Sequence, residues 1–599
     1  MAKPKLVVFA PVRDMATFAE MLELLQGVAD LFQVSVEVGT LARKHREELL
    51  DPGDSYLEYS VNTPGLFKFI IPEKLRPYLD VRFAQENLAL LDAKVKLLKQ
   101  AGFHAAFYGN EPVYQRDRLY DAFPHWRGPR IDHPRRSRNA VWSPCLLEPE
   151  VSNTYRQTVA ELCRRVGILD TFLFKTNDAG SGFCWSSILY NRPNGPTSCQ
   201  GQGPGPHVAA FHRAVMDGAR SAGCEVETFM TNVRGDHDAA LARPLLPAGA
   251  HLLPEPEEGV VGSLSGSLGG TYPVRFLVDP LAFLGQLEGL RRHEPRTILF
   301  SLSSEYQKAC TELPSLDLLL QLIRAFLGKP ARSRREHLAL LEEVAAGLYG
   351  AEAAEPMLEA WWALHEHFLL RSVWPRPNHY VMYGGLSARW LTRPLVAFPN
   401  RLTPEEEGFW LPHVFVGFGD EARRNILDLH GGRAGDLPSR STEATVASHW
   451  FDTVDASLAR AGRAFAAAAE KGVEVARLTA QAIAVSRCLW KSCRHALEFG
   501  LLMEQAVPRE GMWVLGEKPE GDPERLRVYR IVRDELDNSL ELIGLLESGG
   551  SDVIVTAAKP EDEDTFILGP DLAGQLRKKR AVMLAHWRDF DEVFTPPHL

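Results

Sequence analysis

The chain has 599 residues, which is too long for a single hydrophobic core, so two or three domains are expected. Hydrophobic residues at 45% and charged residues at 24% are ordinary globular values, and they exclude a disordered or fibrous chain. A formal net charge of -10 disfavours nucleic-acid and anionic-membrane partners, since both select for basic surfaces.

The N-terminus, MAKPKLVVFAPVRDM, begins with a short apolar run that meets Arg13 and Asp14 too early for a signal peptide. Apolar runs elsewhere in the sequence are too short for a transmembrane helix. We therefore interpret the N-terminal run as a first strand, and we expect a cytoplasmic protein without a membrane partner, with a processed secreted form as the alternative.

Residues 1–330 alternate short apolar runs with stretches of helical periodicity, which is typical of a parallel α/β fold. A (β/α)8 barrel fits this size better than an open doubly wound sheet. The first run is followed by PVRDMATF rather than by a glycine-rich phosphate loop, which disfavours nucleotide binding. The predicted strands of this catalytic barrel are 6–12, 34–38, 104–109, 171–176, 225–231, 249–254, 274–280 and 296–302.

Residues 331–599 keep helical periodicity while the strand signal nearly disappears. This predicts one or more mostly helical C-terminal domains. A segment rich in Pro and Trp, residues 372–412, interrupts the helices, and long irregular segments of that kind often cover a functional site.

Polar residues follow several predicted strands, and barrel enzymes carry their chemistry on the loops after the carboxyl ends of the strands. A glycosidase needs one protonated carboxyl group to assist the leaving oxygen and a second group to activate water or attack the anomeric carbon. Each single acidic residue has the alternative interpretation of a helix cap or a solvated charge. The residues at these strand ends are Arg13, Asp14, Glu111, Lys175, Asn177, Asp178, Asn232 and Arg234.

Asp178 is favoured among the carboxylates because the glycine-rich AGSG and an aromatic loop, FCWSSILYNRPNGP, follow it directly. Glycines allow close backbone approach, and Trp185 offers a flat apolar face on which a sugar ring can stack. The alternative is a turn that packs its aromatic residues on neighbouring helices.

An arginine-rich segment, residues 123–145, is the second candidate constellation. Asp132 and His133 are surrounded by five arginines, Arg127, Arg130, Arg135, Arg136 and Arg138, and a planar guanidinium binds a carboxylate in bidentate fashion. The segment therefore suits an anionic sugar such as a uronic or sialic acid. His133 is a candidate general base or orienting group, with a structural histidine and a solvated charge run as the alternatives.

Metal and cofactor signals are weak in this sequence. The eight cysteines contain no CxxC pair, and HExxH and GxSxG are both absent. Cys184 and Cys199 are interpreted as two buried thiols or as one thiol near the site, without a case for a nucleophile. The sequence thus predicts neither a metal site nor a cofactor.

The succession FPHWRGPRID, WSPCLLEPEVSNTYRQTVAELCRR and FLFKTNDAGSGFC resembles barrel glycoside hydrolases of the hexosaminidase and α-glucuronidase-like superfamily. The likeness covers residues 105–240. In the hexosaminidase branch an Asp-Glu pair ends the fourth strand, whereas Asn177-Asp178 stands here, so the resemblance assigns the acid role to Asp178 alone.

A fainter resemblance connects the chain with inverting sialidases built on this type of barrel. It implies that Asp14 and His133 do the chemistry and that the arginines bind the carboxylate of a sialic acid. The stretch ARWLTRPLVAFP resembles the helical additions behind such barrels, which form dimers and close the sugar site. It therefore implies a homodimer and makes Arg389 a secondary substrate-binding candidate.

These features favour an exo-acting glycoside hydrolase that cleaves a terminal acidic sugar from a carbohydrate substrate. An N-acetylhexosaminidase-like or neutral-sugar glycosidase, and a barrel that binds carbohydrate without turnover, remain the alternatives. The candidate catalytic residues are Asp14, His133, Asp178 and Glu111. The candidate substrate-binding residues are Arg13, Arg127, Arg130, Arg138, Asn177, Trp185, Asn232, Arg234 and Arg389.

Overall fold

The chain folds into two compact units. The first comprises residues 1–267 and 285–330, and the second comprises residues 268–284 and 331–599. The computed structural model describes residues 3–48, 62–132, 137, 139–176, 182–187, 192–231, 233, 236–255, 257–266, 272–302, 312–330, 333–372, 384–415, 422–423, 437–506 and 520–594.

Eight parallel strands form the sheet of the first unit, in the order β8-β7-β6-β3-β2-β1-β10-β9. The edge strands β8 and β9 follow one another in the chain, and Leu253 and Val261 beside them pack on the same core cluster. The sheet therefore curls into a TIM-like barrel, and the predicted α/β barrel with a helical C-terminal region is confirmed. The strands are β1 (Lys5–Phe9), β2 (Gln33–Glu37), β3 (His104–Asn110), β6 (Leu169–Lys175), β7 (Glu227–Thr231), β8 (Ala250–Leu252), β9 (Val261–Ser265) and β10 (Thr297–Ser301).

The barrel core consists of side chains from alternate strand positions, because successive residues of a strand point to opposite faces. Val7, Phe9, Ala106, Phe229 and Leu299 form its buried centre. Apolar stripes of the connecting helices cover the outer face. These helices are α1 (Met15–Gln26), α2 (Val81–Ala101), α3 (Asp117–Ala122), α4 (Pro149–Val166), α5 (Gly205–Ser221), α6 (Asp236–Ala242), α7 (Pro280–His293) and α8 (Leu313–Gly328).

One predicted strand is wrong and one strand was missed. Residues 274–280 form no barrel strand; Val274 instead makes an isolated antiparallel bridge with Ile554 in the second unit. The seventh barrel strand is β9, whose sequence VGSLS lacks a continuous apolar run. An apolar run of this length does not by itself identify which sheet, if any, a segment joins.

A small antiparallel ribbon lies between the third and fourth barrel strands in the chain. Its strands are β4 (Arg127–Arg130) and β5 (Trp142–Pro144), and Arg127 is opposite Pro144. Residues near the start and at the end of the arginine-rich segment thus pair with each other as a ribbon.

The second unit is mainly helical. A capping box, in which Ser333 and Glu336 satisfy each other's backbone N–H groups, begins its first long helix. None of the helices that the structure describes combines the length and apolarity needed to span a bilayer. The helices are α9 (Arg334–Tyr349), α10 (Ala351–Ser372), α11 (Pro404–Glu407), α12 (Leu437–Ala469), α13 (Glu474–Ala506), α14 (Pro523–Glu547), α15 (Leu572–Ala585) and α16 (Asp589–Phe594).

Candidate active site

A cavity of about 510 Å³ lies at the carboxyl ends of the barrel strands. Pockets of this volume are typical of small-ligand sites, and this end of a barrel is where such enzymes bind substrate. The final residue of six strands lines the cavity, namely Phe9, Glu37, Lys175, Thr231, Ser265 and Ser301.

The cavity combines an apolar surface with polar groups. Phe9, Leu299 and the partly buried Tyr108 and Leu173 belong both to the cavity wall and to the barrel core, so this part of the wall is rigidly packed. The polar lining residues include Arg13, Glu37, Thr40, Asn62, Lys175 and Gln286. Apolar walls with a few polar groups are the usual composition of a site that orients a small polar ligand.

Glu37 is the only carboxylate among the described residues that line the cavity. Its side chain is 2% exposed, and its Oε1 atom has no hydrogen-bond partner within the described part of the chain. Burial raises the pKa of Glu37, although the charge of Lys94 and a hydrogen bond from the backbone of Ala10 act in the opposite direction. A carboxyl group whose proton is retained by burial is suited to act as a general acid.

Lys94 is the buried cation that acts on Glu37. Its Nζ donates to Thr40 Oγ1 at 2.8 Å and lies 4.9 Å from the ring centroid of Phe18. Burial lowers the pKa of Lys94, and the carboxylate of Glu37 opposes that change. The two groups therefore titrate as a linked pair, so the proton on Glu37 responds to the charge of Lys94.

Two cationic side chains other than Lys94 line the cavity itself. Arg13 lies just beyond β1, and its Nε donates to the Leu41 carbonyl at 2.9 Å, which fixes the guanidinium at the wall. Lys175 is the last residue of β6. A cavity with two cations and a buried carboxyl group favours an anionic polar ligand over a neutral apolar one.

Asp14 does not line this cavity. It is exposed and precedes α1, where its Oδ2 accepts a hydrogen bond from the backbone N–H of Thr17 at 2.7 Å. These hydrogen bonds lower its pKa. Asp14 thus has the helix-cap role that competes with a catalytic one, because the N-terminus of a helix supplies unsatisfied N–H donors.

Glu111 is also absent from the cavity wall, and its buried carboxylate is paired with hydrogen-bond donors. It is 0% exposed; Oε1 accepts from the N–H of Leu66 at 2.7 Å, and Oε2 accepts from the Tyr155 hydroxyl at 2.9 Å and the N–H of Val113 at 3.3 Å. Burial raises its pKa to about 7 against the opposing effect of these donors. These three donors give Glu111 a structural role as an acceptor, and its catalytic role stays a prediction.

Substituting Glu111→Gln is expected to change how stability depends on pH. The folded-state pKa of about 7 exceeds the ordinary value of 4.5, so between these pH values the folded chain binds more protons than the unfolded one. The wild type therefore loses stability as pH rises through this window, by up to about 3 kcal/mol. A glutamine side chain cannot ionise, so the variant should lack this decline in thermal melts at pH 5 and pH 7.5; parallel curves would contradict the assignment.

The arginines of the ribbon lie elsewhere than the cavity wall. Arg127 stacks its guanidinium 5.3 Å from the ring centroid of Trp142, and Arg130 Nη2 donates to Asp132 Oδ2 at 2.8 Å. Both side chains are largely exposed. Their partners are within the ribbon or next to it, and the carboxylate-binding role of these arginines stays a prediction.

Trp185 and Arg389 have structural partners as well. The indole N–H of Trp185 donates to Cys199 Sγ at 3.3 Å. Arg389 is 0% exposed in the second unit, where its Nη1 lies 3.1 Å from Glu563 Oε1. A guanidinium buried in this way is engaged by a partner in its own unit, and the substrate-binding role of Arg389 stays a prediction.

The remaining candidates fall outside the described residues. They are His133, Arg138, Asn177, Asp178, Asn232 and Arg234. Thr176, immediately before Asn177, is described, and its N–H donates to the Thr231 carbonyl at 3.1 Å, continuing the pairing of β6 with β7. Asp178 therefore follows a strand whose last residue lines the cavity, and its role stays a prediction.

Sequence reasoning missed Glu37, which the structure makes the best-placed carboxylate. The signal was present, because VSVEV is a buried parallel strand with one charged residue at an otherwise apolar end. A charged residue in such a strand is rarely buried without a function or a partner.

No family model matches the chain, and no curated protein matches it either. Among solved structures, the chain is similar to a GH138 enzyme targeting pectin rhamnogalacturonan II, with a TM-score of 0.52 and 10% identity over 100% of this chain and 69% of that one. At this identity the likeness shows a shared fold.

Two α-galactosidases are more distant. The enzyme from Lactobacillus brevis has a TM-score of 0.29 at 12% identity, covering 55% of this chain and 41% of that one. The GH36 enzyme AgaA from Geobacillus stearothermophilus has a TM-score of 0.30 at 10% identity, covering 54% and 42%. Likenesses this weak support no inference about the present chain.

Proposed function

We propose that the protein is a glycoside hydrolase that removes a terminal acidic sugar, a uronic or a sialic acid, from a carbohydrate. The observation that carries the proposal is Glu37, a buried carboxyl group with an oxygen left unpaired among the described residues, in a cavity that Arg13 and Lys175 also line. Glu37 is the proton donor to the leaving oxygen, since its raised pKa keeps the proton available near neutral pH.

The two cations bind the carboxylate of the sugar. Arg13 offers a planar fork of donors for bidentate contact, and Lys175 offers a compact ammonium group. Asp178, after the same strand as Lys175, is the proposed second carboxylate that activates water or attacks the anomeric carbon. This second role follows from chain position alone.

Two observations support a carbohydrate substrate cut at its end. The cavity volume of about 510 Å³ suits a small terminal unit better than a long chain segment. The enzyme of similar fold is known as one that targets pectin rhamnogalacturonan II, which supports a polysaccharide-derived substrate. The homodimer implied by the sequence resemblance stays a prediction.

The function is tested with aryl glycosides of a sialic acid, of α- and β-linked glucuronic and galacturonic acids, of N-acetylglucosamine and of galactose. Turnover restricted to acidic glycosides is expected. Turnover of only the N-acetylated or neutral members would replace the proposal by a neutral-sugar hydrolase. Saturable binding of an acidic sugar without turnover of any glycoside would replace it by a carbohydrate-binding barrel.

Replacing Arg13 by Met should weaken the reaction selectively. A lost hydrogen bond to a charged group costs about 1.5–3 kcal/mol, so kcat/KM for the acidic glycoside is expected to fall ~10- to 100-fold. Arg130→Met is the matched control, because that arginine pairs with Asp132 outside the cavity. Equal losses in both variants would contradict the assignment of Arg13 to the sugar carboxylate.

A further inference from the structure

Four buried side chains with metal-binding atoms converge in the first unit, away from the cavity. Cys145, Cys184, Cys199 and His207 place one sulfur or nitrogen atom each so that all four atoms lie within 4.8 Å of one another. None of these four residues belongs to the described lining of the barrel cavity. The donor set, three sulfurs and one imidazole nitrogen, is one that zinc prefers in structural sites.

The spacing of these atoms matches a tetrahedral metal centre better than a disulfide. The sulfurs of Cys145 and Cys199 are 3.9 Å apart, and Cys145 Sγ is 3.8 Å from His207 Nε2. Zn–S bonds of ~2.3 Å at tetrahedral angles separate two sulfurs by ~3.8 Å, whereas a disulfide needs ~2.05 Å. A disulfide would also use only two of the three thiols.

The imidazole of His207 has the orientation of a metal ligand. Its Nδ1 lies 2.9 Å from the Gly203 carbonyl, which places the proton on Nδ1 and leaves Nε2 as the lone-pair donor towards Cys145. Metal-bound histidines are fixed in this way by a carbonyl behind the ring. His207 is 0% exposed, and a thiol at 3.8 Å is a poor partner for a buried nitrogen.

The sulfur of Cys199 has support from a neighbouring side chain. The indole N–H of Trp185 donates to it at 3.3 Å, and such a hydrogen bond stabilises a thiolate ligand. Leu147 and Trp185 pack against the three cysteines, so the surroundings are otherwise apolar. Three buried thiols on their own are an ordinary apolar cluster, but that interpretation leaves the buried Nε2 of His207 with only a weak thiol contact to Cys145 at 3.8 Å.

We propose that Cys145, Cys184, Cys199 and His207 bind one zinc ion in a closed structural site. Four protein ligands complete the tetrahedron, so no position remains for water or substrate. The ligands come from separate segments: Cys145 follows β5, Cys184 lies after β6, Cys199 ends the turn Thr197–Cys199, and His207 lies in the first turn of α5.

The zinc ion joins the ribbon after the third barrel strand to the loop after the fourth. Asn194 already bridges these two regions, because its side chain accepts from the N–H of Arg130 and its carbonyl accepts from the N–H of Trp185 at 2.9 Å. The site thereby fixes these two segments to each other without taking part in the chemistry. It is independent of the proposed hydrolase activity.

The site is tested by metal analysis of the full chain, purified under reducing conditions without chelator. About one zinc per chain is expected, and Cys199→Ser and His207→Gln should each reduce it to below ~0.1 because a four-ligand structural site is incomplete without any member. Cys163→Ser is the matched control, since this buried cysteine on α4 is outside the cluster, and it should keep its zinc.

Cobalt keeps the test valid if the ligand variants fail to fold. Replacing the bound metal of the wild type by Co²⁺ should give intense visible bands of a tetrahedral centre and a thiolate-to-cobalt band in the near ultraviolet. A wild type that is metal-free and gives no such bands with Co²⁺, or one that contains a Cys145–Cys199 disulfide in peptide maps, would overturn the proposal. Stoichiometric iron in place of zinc would overturn the choice of metal.

Discussion

Replacing Glu37 by Gln is expected to slow hydrolysis of an acidic glycoside with a poor leaving group by ~10²- to 10⁴-fold, the usual contribution of a positioned general acid. Glutamine keeps the size and polarity of the side chain but cannot transfer a proton, so KM should change little. The alkaline limb of the pH profile of kcat/KM should disappear in the variant, because it reports loss of the Glu37 proton.

The leaving group distinguishes an acid from other roles of Glu37. The dinitrophenolate of a dinitrophenyl glycoside leaves without being protonated. The Glu37→Gln variant should therefore retain most of the activity on that substrate and lose activity on an alkyl glycoside. Equal losses on both substrates would instead identify Glu37 as a nucleophile, a base or a structural group. Glu111→Gln is the matched control, because Glu111 is an equally buried glutamate outside the cavity, and it should keep both activities.

The strands were predictable because parallel barrel strands are buried on both faces and read as apolar runs. β9 lacks such an apolar run, and the packing around its glycine explains why. A Cβ atom at Gly262 would lie 2.2 Å from Leu290 Cδ2 and 2.8 Å from Pro295 Cγ, so close approach of α7 and the chain after it requires glycine there. Residues 274–280 were predicted as a strand because they are apolar, but they belong to the second unit and form no barrel strand.

The proposed site lies at the end of the barrel where the sequence candidates were sought, and Arg13 and Lys175 were named at strand ends in the sequence and line the cavity. Glu37 is the final residue of β2, whereas most candidates were chosen from the residues that follow a strand. Asp14, five positions beyond β1, is already the cap of the next helix. Local sequence does not distinguish Glu37 from Glu111. Glu111 accepts hydrogen bonds from Tyr155 and Leu66, whereas Glu37 faces a cavity, and this difference depends on segments that are distant in the sequence.

The proposed zinc ligands depend even more on residues that are distant in the sequence. The sequence predicted no metal because no two cysteines have the short spacing of a zinc ribbon. Cys145, Cys184 and His207 come together only after the barrel has placed two successive loops side by side. A metal site of this type can therefore be recognised from the fold but not from the spacing of its ligands along the sequence.

Replacing Lys579 by Met is expected to be the most destabilising single change in the helical unit. Lys579 is 0% exposed; its Nζ pairs with Glu535 and donates to the carbonyls of Leu391 at 2.9 Å and Trp390 at 3.2 Å. Burial would raise the pKa of Glu535, but Lys579 and His495 lower it to about 2. The Lys579→Met change would leave that carboxylate buried without its cation, at a cost of ~3–5 kcal/mol.

This loss should lower the thermal midpoint of unfolding by ~10 °C at pH 7. In the wild type, Glu535 has a pKa of about 2 in the folded chain, below its ordinary value of 4.5, so its stabilising contribution is present above pH 4.5 and declines as pH falls towards 2. The deficit of Lys579→Met should therefore shrink below pH 4.5. Lys579→Met combined with Glu535→Leu should recover most of the loss, since neither charge of the buried Lys579–Glu535 pair remains.

The control for Lys579 is two residues away on the same helix. Arg577 pairs with Glu547, but both side chains are 53% exposed, and exposed pairs contribute at most about 1 kcal/mol. Arg577→Met should therefore shift the midpoint by no more than ~3 °C. Equal losses of stability in the two single variants would contradict a special cost at Lys579. A double variant no more stable than Lys579→Met would show that desolvation of Glu535 is not the cause, and would assign the loss to the contacts of Lys579 with the carbonyls of Trp390 and Leu391.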